Sequence, residues 1–86
     1  NGLFCLNELD LSVNKIKMIK KKSFSGLDNL KILNLRFNLI ISIEEGGFYG
    51  LFSLNELNIN ENELKIIKKR SFLGLDNLKI LYLRLN

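Results

Sequence analysis

Carboxylates are the side chains of this chain whose type and spacing come closest to enzyme chemistry. Glu8 and Asp10 stand two residues apart and Glu56 recurs further along, so a carboxylate pair could act as general acid and base. The chain has no histidine and one cysteine, and it shows no nucleophile paired with a base, no glycine-rich phosphate loop and no cysteine–histidine cluster. Carboxylates that alternate along a strand are usually solvated. The sequence therefore predicts a protein that is not an enzyme, with no catalytic residues, no metal site and no cofactor.

Two basic runs are the second candidate for chemistry. Residues 20–22 and 68–70 resemble a nucleic-acid or membrane-surface signal in a chain of net charge +4. Glu44 and Glu45 lie midway, 24 residues from equivalent positions in both runs. If segments of this length stack about 5 Å apart, the two glutamates lie between the two basic runs. We then expect alternating rows of acidic and basic side chains that form a ladder of ion pairs. The sequence accordingly predicts no nucleic-acid partner. The longest apolar stretch, residues 37–43, is too short and interrupted for membrane insertion by this segment.

A repeat of 24 residues explains nearly every apolar residue. Its columns are Leu6, Leu30, Leu54 and Leu78; Leu9, Leu33, Leu57 and Leu81; Leu11, Leu35, Ile59 and Leu83; Ile16, Ile40 and Leu64; Ile19, Ile43 and Ile67; Phe24, Phe48 and Phe72; and Gly-Leu pairs beginning at Gly2, Gly26, Gly50 and Gly74. A strict period in this range indicates a stack of equivalent units rather than a globule around one central core.

Each unit reads as one strand followed by a return segment. Apolar and polar residues alternate over residues 7–12, 31–36, 55–60 and 79–84, which predicts four parallel strands with one buried face. The returns are too short for a long helix, so irregular structure with 3₁₀ or short helical turns is expected. The Phe column predicts a stacked spine, and the Gly column predicts bends with positive φ.

A recurrent asparagine follows each strand, where the backbone must leave the sheet. Its side chain can bond backbone groups that have no partner there, so the column predicts a structural ladder rather than a functional site. The ladder residues are Asn14, Asn38, Asn62 and Asn86.

These residues resemble the leucine-rich repeat family over essentially the whole chain. The pattern L-x-x-L-x-L-x-x-N-x-I-x-x-I-x-x-x-x-F-x-G-L-x-x runs from Leu30 through Ser53. Its 24-residue F-x-G-L form is similar to repeats of extracellular and cell-surface proteins such as Toll-like receptors, Slit and chaoptin. The resemblance implies an α/β fold class: a leucine-rich repeat solenoid, or horseshoe, whose concave side is a parallel sheet of about four strands and whose convex returns are irregular, 3₁₀ or short-helical.

The domain organisation follows from the same register. From the resemblance and the register we expect residues 1–86 to be a single leucine-rich repeat array with units at 6–29, 30–53 and 54–77, a partial unit at 78–86 and the tail of a preceding repeat at 1–5. Neither end resembles a polar cap, so we expect a fragment of a longer solenoid whose uncapped ends could self-associate.

The open face of the sheet is the surface whose composition favours recognition. Arg and Tyr are enriched at binding hot spots, and a long preformed sheet offers a large contact area. The candidate partner-binding residues are Glu8, Asp10, Ser12, Ile32, Asn34, Arg36, Phe37, Glu56, Asn58, Asn60, Tyr82 and Arg84. The alternative is that they are solvated strand positions with charged neighbours, such as Arg36 against Asp10 or Glu61.

These observations predict a protein–protein recognition segment of an extracellular or cell-surface leucine-rich repeat protein, such as a receptor ectodomain, which binds a protein partner through its concave sheet. Three alternatives stay open. The repeats could be an architectural spacer without direct binding, or part of a cytoplasmic scaffold. The exposed pair Phe37 and Leu39 could also capture a lipid or glycolipid.

Overall fold

The computed structural model describes residues 6–86, which form a solenoid of stacked coils. Seven short strands are present: β1 (Glu8–Asp10), β2 (Met18–Ile19), β3 (Ile32–Asn34), β4 (Ser42–Ile43), β5 (Glu56–Asn58), β6 (Ile66–Ile67) and β7 (Ile80–Tyr82). Each full coil contributes one strand to each of two sheets, ordered β1-β3-β5-β7 and β2-β4-β6. The expected tail of a preceding repeat, residues 1–5, lies outside the described residues.

The four-stranded sheet confirms the expected parallel pairing. Leu9 pairs with Leu33, and Leu33 pairs with Leu57, so the 24-residue period of the sequence is also the register of the sheet. The strands are shorter than the alternation predicted. Backbone hydrogen bonds nevertheless continue beyond the ends of the strands. For example, Leu11 N donates to Asn34 O at 2.8 Å. The sheet is therefore one continuous platform along the stack.

The return segments contain a second sheet that was not predicted from the sequence. Ile19 pairs in parallel with Ile43, and Ile43 with Ile67. Hydrogen-bonded turns connect this sheet to the next strand of the first one. The helical and 3₁₀ options for the returns do not occur within residues 6–86, where every regular element is a strand.

The core lies between the two sheets and is filled by the leucine, isoleucine and phenylalanine columns. Leu33, Leu57 and Phe48 are fully buried in the middle coils, whereas Leu81, in the last strand, is 38% exposed. The difference arises because a coil buries its apolar face against its neighbours on both sides. The phenylalanines form the expected spine, with nearly parallel rings and centroids 5.9 Å apart for Phe24–Phe48 and 5.8 Å for Phe48–Phe72.

The asparagine column forms the predicted ladder. Asn38 Nδ2 donates to Leu35 O in its own coil at 2.9 Å and to Leu11 O in the preceding coil at 3.0 Å, while its Oδ1 accepts from Ile16 N at 3.1 Å. One side chain thus satisfies backbone groups in two coils where the chain turns away from the sheet. The glycine bends are also confirmed, since Gly26, Gly50 and Gly74 have φ of 94°, 107° and 91°.

Candidate functional site

Most of the predicted partner-binding residues lie on one face of the four-stranded sheet, in two columns that follow its register. The columns are Glu8, Ile32, Glu56 and Ile80, and Asp10, Asn34, Asn58 and Tyr82. The side chains are half-buried in the two middle strands and exposed in the two outer ones. The strands therefore present a mixed polar and apolar surface whose spacing is set by backbone pairing.

The second column also has a structural role that was not predicted. Three of its side chains accept a hydrogen bond from the backbone N–H two residues later. The pairs are Asp10 with Ser12 at 2.9 Å, Asn34 with Arg36 at 3.0 Å and Asn58 with Asn60 at 2.9 Å. Short Asp and Asn side chains favour this turn-forming bond. At Asp10, bonds from the hydroxyl and the backbone N–H of Ser12 lower the pKa of the carboxyl, against a small opposing effect of desolvation.

The last coil departs from this arrangement because Tyr82 has no carboxylate or amide oxygen. The N–H of Arg84 bonds instead to Asn60 Oδ1 in the preceding coil, at 2.6 Å. Asn60 is only 8% exposed. Asn60 therefore positions the backbone beneath Arg84 and offers a partner little surface of its own.

A cluster of three side chains stands at the end of β3 and β5. Arg36 Nε lies 2.6 Å from Glu61 Oε2, and the guanidinium carbon of Arg36 lies 4.8 Å from the ring centroid of Phe37. Glu61 is one of the two acidic neighbours that the alternative interpretation of this face, solvated strand positions with charged neighbours, gave to Arg36. Arg36 is held over an aromatic ring that is 47% exposed.

Phe37 belongs to a column of left-handed residues along the edge of the sheet. The column comprises Val13, Phe37, Glu61 and Leu85, with φ between 55° and 61°. A left-handed backbone conformation destabilises a non-glycine residue by roughly 1–2 kcal/mol. At Phe37 this conformation is stabilised by a hydrogen bond from Phe37 N to Asn60 O in the next coil, at 3.2 Å. Since the geometry recurs in every coil, it belongs to the fold. Three of the four positions carry exposed apolar side chains, namely Val13, Phe37 and Leu85.

The structure also brings together two candidates from the last coil. Tyr82 and Arg84 line a groove of about 290 Å³ with Asn60, Leu81 and Leu83. Tyr82 is 40% exposed. The groove places an aromatic ring and a guanidinium side by side on the sheet, two coils from Arg36 and Phe37.

The expected ladder of ion pairs between the basic and acidic runs is wrong. Glu44 Oε1 accepts a hydrogen bond from the backbone N–H of Lys21 at 2.9 Å, rather than bonding a lysine ammonium. Within residues 6–86, the Arg36–Glu61 pair is the one ion pair closer than 4 Å. The long lysine side chains lie in solvent, where a fixed ion pair contributes little.

The residues that the structure describes contain no group of three or more acidic, cysteine or histidine side chains placed to hold a metal ion. Over the same residues, no helix is long and apolar enough to cross a membrane.

Comparison with protein families matches this chain to leucine-rich repeats. The family model described as leucine rich repeat matches residues 5–59 and again residues 29–86, and together the two matches extend over nearly the whole chain. Among curated proteins, none matches this chain.

Proposed function

Because the chain belongs to the leucine-rich repeat family, whose domains generally mediate protein–protein interactions, we propose that it binds a protein partner through the open face of β1-β3-β5-β7. The observation that carries the proposal is the cluster of Arg36, Phe37 and Glu61 at the edge of that face. An exposed ring stacked beneath a guanidinium, itself held by a carboxylate at 2.6 Å, is an ordered amphipathic contact of the kind enriched at binding hot spots.

The site is preorganised, which favours recognition. The backbone under the cluster is fixed by the bonds Phe37 N to Asn60 O and Arg36 N to Asn34 Oδ1, so a partner would order few additional residues on binding. Tyr82 and Arg84 supply a second contact of similar chemistry on the same face.

The test is a matched pair of double variants. Arg36→Glu with Tyr82→Ala changes the proposed face. Lys17→Glu with Ile66→Ala makes an equivalent charge reversal and truncation away from it, at one exposed position directly before β2 and one exposed position in β6. A partner is identified by affinity capture from extracts and surface proteins of the source cells, then measured by calorimetry. We expect the first variant to weaken binding at least about tenfold, or about 1.4 kcal/mol, and the second to leave it unchanged. Equal affinity of the wild type and the Arg36→Glu/Tyr82→Ala variant would show that the partner binds elsewhere.

An architectural spacer is the second candidate, and a specific observation favours it. Asn34, Asn58 and Asn60 direct their side-chain oxygens to the backbone rather than outward. A spacer predicts that the sheet variants are silent in the full-length protein, while deletion of two repeats, 48 residues, displaces flanking sites and changes their function.

The compartment is part of the proposal. We place the segment at the cell surface or outside the cell, on the strength of the F-x-G-L repeat form, with a cytoplasmic scaffold as the competing assignment. Labelling of intact cells with a membrane-impermeant lysine reagent tests this, because the described chain carries many exposed lysines. Modification of this protein before the cells are permeabilised supports the extracellular assignment, and modification only afterwards supports the cytoplasmic one.

A further inference from the structure

A second surface with binding character lies in the turns that follow β2, β4 and β6. Lys22, Gly46 and Arg70 occupy equivalent positions in three successive coils, with φ of 59°, 68° and 69°. Lys22 N donates to Gly46 O and Gly46 N donates to Arg70 O, both at 3.0 Å. The two basic residues therefore stand on either side of a glycine, with backbones about 10 Å apart along the stack. The glycine leaves the space between them without a side chain.

That space is a cleft of about 360 Å³ with Gly46 among its lining residues. Its volume is at the lower end of the range for ligand-binding pockets, about 300–1,000 Å³. The other residues that line it are Lys21, Lys22, Glu45, Tyr49, Arg70 and Leu73.

The cleft carries excess positive charge. No acidic side chain lies within 4 Å of a charged nitrogen of Lys21, Lys22 or Arg70 in residues 6–86, where the described ion pair is elsewhere. The nearby carboxylate of Glu44 is engaged by a backbone N–H. Glu45 is the single acid among the lining residues. An anionic group would therefore find positive charge on both sides of Gly46.

An exposed apolar surface adjoins these charges. Tyr49 is 42% exposed and Leu73 is 49% exposed. The ring of Tyr49 packs edge-to-face on Phe52, itself 46% exposed, with centroids 5.5 Å apart and an interplanar angle of 86°. Gly74 leaves room for this ring, because a Cβ at Gly74 would approach Tyr49 Cδ1 to 3.0 Å. Exposed aromatic and apolar side chains that are fixed in this way are suited to receive an apolar side chain.

We propose that this cleft is a second binding site, distinct from the four-stranded sheet, for an acidic peptide segment of a protein partner. A carboxylate of the segment lies between Lys22 and Arg70, and a neighbouring apolar side chain packs on Tyr49 and Leu73. The assignment is independent of the function proposed for the sheet.

The arrangement of charge and apolar surface favours a peptide over a polyphosphate. Glu44 and Glu45 occupy the coil between the two basic runs, so an extended polyanion that crosses the stack would meet carboxylates midway. A peptide can place single carboxylates between basic groups and use the intervening side chains for apolar contact. The mixed lining of the cleft matches that alternation.

The experiment measures binding of a short fluorescein-labelled peptide in which glutamate alternates with leucine and phenylalanine. The same peptide with glutamine in place of glutamate is the ligand control, and phosphatidylserine vesicles test a lipid headgroup as the alternative source of anionic charge. Fluorescence anisotropy is recorded for the peptides and co-sedimentation for the vesicles, each with the full 86-residue chain.

Three variants locate the site on the protein. Lys22→Glu with Arg70→Glu reverses the charges that flank the cleft, and Lys17→Glu with Lys65→Glu makes the same charge change at exposed positions with the same spacing of 48 residues. Gly46→Asn fills the cleft while keeping all its charges. Asparagine tolerates the positive φ, and its Cβ would meet Lys21 Cγ and Tyr49 Cβ at ordinary distances of 3.7 and 3.8 Å. Circular dichroism confirms folding, and Lys22→Gln with Arg70→Gln replaces the reversal if that variant unfolds.

The expected result is that the acidic peptide binds the wild type and that both the charge reversal and Gly46→Asn weaken it about tenfold. The Lys17→Glu/Lys65→Glu variant and the sheet variant Arg36→Glu/Tyr82→Ala should bind like the wild type. Any one of four results overturns the proposal. The glutamine peptide binds as well as the glutamate peptide, or the Lys17→Glu/Lys65→Glu control loses as much peptide affinity as the charge reversal. Alternatively, the sheet variant loses peptide affinity, or the protein sediments with vesicles but does not bind the peptide.

Discussion

The side-chain nitrogen of Asn62 lies 3.0 Å from the carbonyl oxygen of Leu35, so that a residue of one coil completes the backbone bonding of the coil before it. The same nitrogen lies 3.1 Å from Ile59 O, and Asn62 Oδ1 accepts from Ile40 N at 3.0 Å. The whole group is buried, with Asn62 only 6% exposed. One carboxamide therefore joins two coils at a point that water does not reach.

Replacement of Asn62 by alanine should lower the free energy of unfolding by about 1–3 kcal/mol, because it leaves Ile40 N buried without a partner. Leu35 O loses one of its two side-chain hydrogen bonds and keeps the one from Asn38 Nδ2. Asn14→Ala is the control, since Asn14 is exposed and, within residues 6–86, its Nδ2 bonds only Leu11 O and Ser12 O of its own coil. We expect at most about 1 kcal/mol there. Urea unfolding followed by circular dichroism measures both. Similar losses for the two variants would contradict the bridging role of Asn62.

Gly47→Ala should lower the free energy of unfolding by about 1–3 kcal/mol, because the added methyl group overpacks the space between neighbouring coils. A Cβ at Gly47 would lie 2.9 Å from Ile19 Cγ2 and 3.1 Å from both Ile43 Cγ2 and Glu44 O. A double-mutant cycle with Ile19→Ala tests the cause. Removal of Cγ2 relieves the closest contact, so Gly47→Ala should cost at least about 0.5 kcal/mol less in that background. Strict additivity of the two substitutions, measured by thermal and urea unfolding, would count against a steric origin.

Truncation of Phe48 to alanine should cost about 3–5 kcal/mol, because its ring is fully buried between Phe24 and Phe72. Phe52→Ala provides the matched control four residues later. Phe52 is 46% exposed, and we expect a loss within about 1 kcal/mol. Chemical denaturation of both variants measures whether the loss of stability is specific to the buried phenylalanine spine. A loss at Phe52 as large as that at Phe48 would mean that the spine is not the main source of coil cohesion.

Asp10 should make stability depend on pH at the acidic end. Its pKa in the folded protein lies below the ordinary value of 3.8, with the hydroxyl and the N–H of Ser12 as the causes. Because the folded pKa is depressed, the stabilisation is fully present above the unfolded value and is lost as pH falls through the folded one. Asp10→Asn keeps an acceptor oxygen, as Asn34 and Asn58 do in the next coils, so this variant should gain stability relative to the wild type as pH falls below about 4.

The carboxyl carbon chemical shift of Asp10, followed by NMR, gives its pKa directly. Ser12→Ala should raise that pKa towards 3.8, and Glu8→Gln, on the same strand, should leave it unchanged. A midpoint for Asp10 at or above 3.8 in the wild type would refute the role of Ser12.

The architecture was predictable because a repeat imposes the same local choice many times. One copy of Leu33, Leu35 and Asn38 suggests little, but three or four copies at the same spacing specify parallel pairing, a shared core and an asparagine ladder. The phenylalanine spine and the glycine bends followed for the same reason. Each of these features depends on short-range periodicity, which the chain carries in full.

The second sheet and the charged surface were less accessible from the sequence. Strands of two residues, such as Met18–Ile19, have no alternation long enough to detect. Glu44 was expected to pair with lysine side chains, yet the turn places the N–H of Lys21 against its carboxylate at 2.9 Å. The carboxylate of Glu44 bonds the backbone N–H, which is already fixed in position. An ion pair with a lysine ammonium would instead cost side-chain entropy.

By itself, then, the sequence determined the period, the register and the identity of the buried columns, because hydrophobic burial in a stack depends on spacing alone. Only the tertiary structure decided which exposed side chains meet. It placed Arg36 over Phe37 and against Glu61, and it opened a cleft between Lys22 and Arg70 above Gly46. Those contacts depend on the turn geometry of neighbouring coils, which brings together side chains that lie 25 or 48 residues apart in the chain.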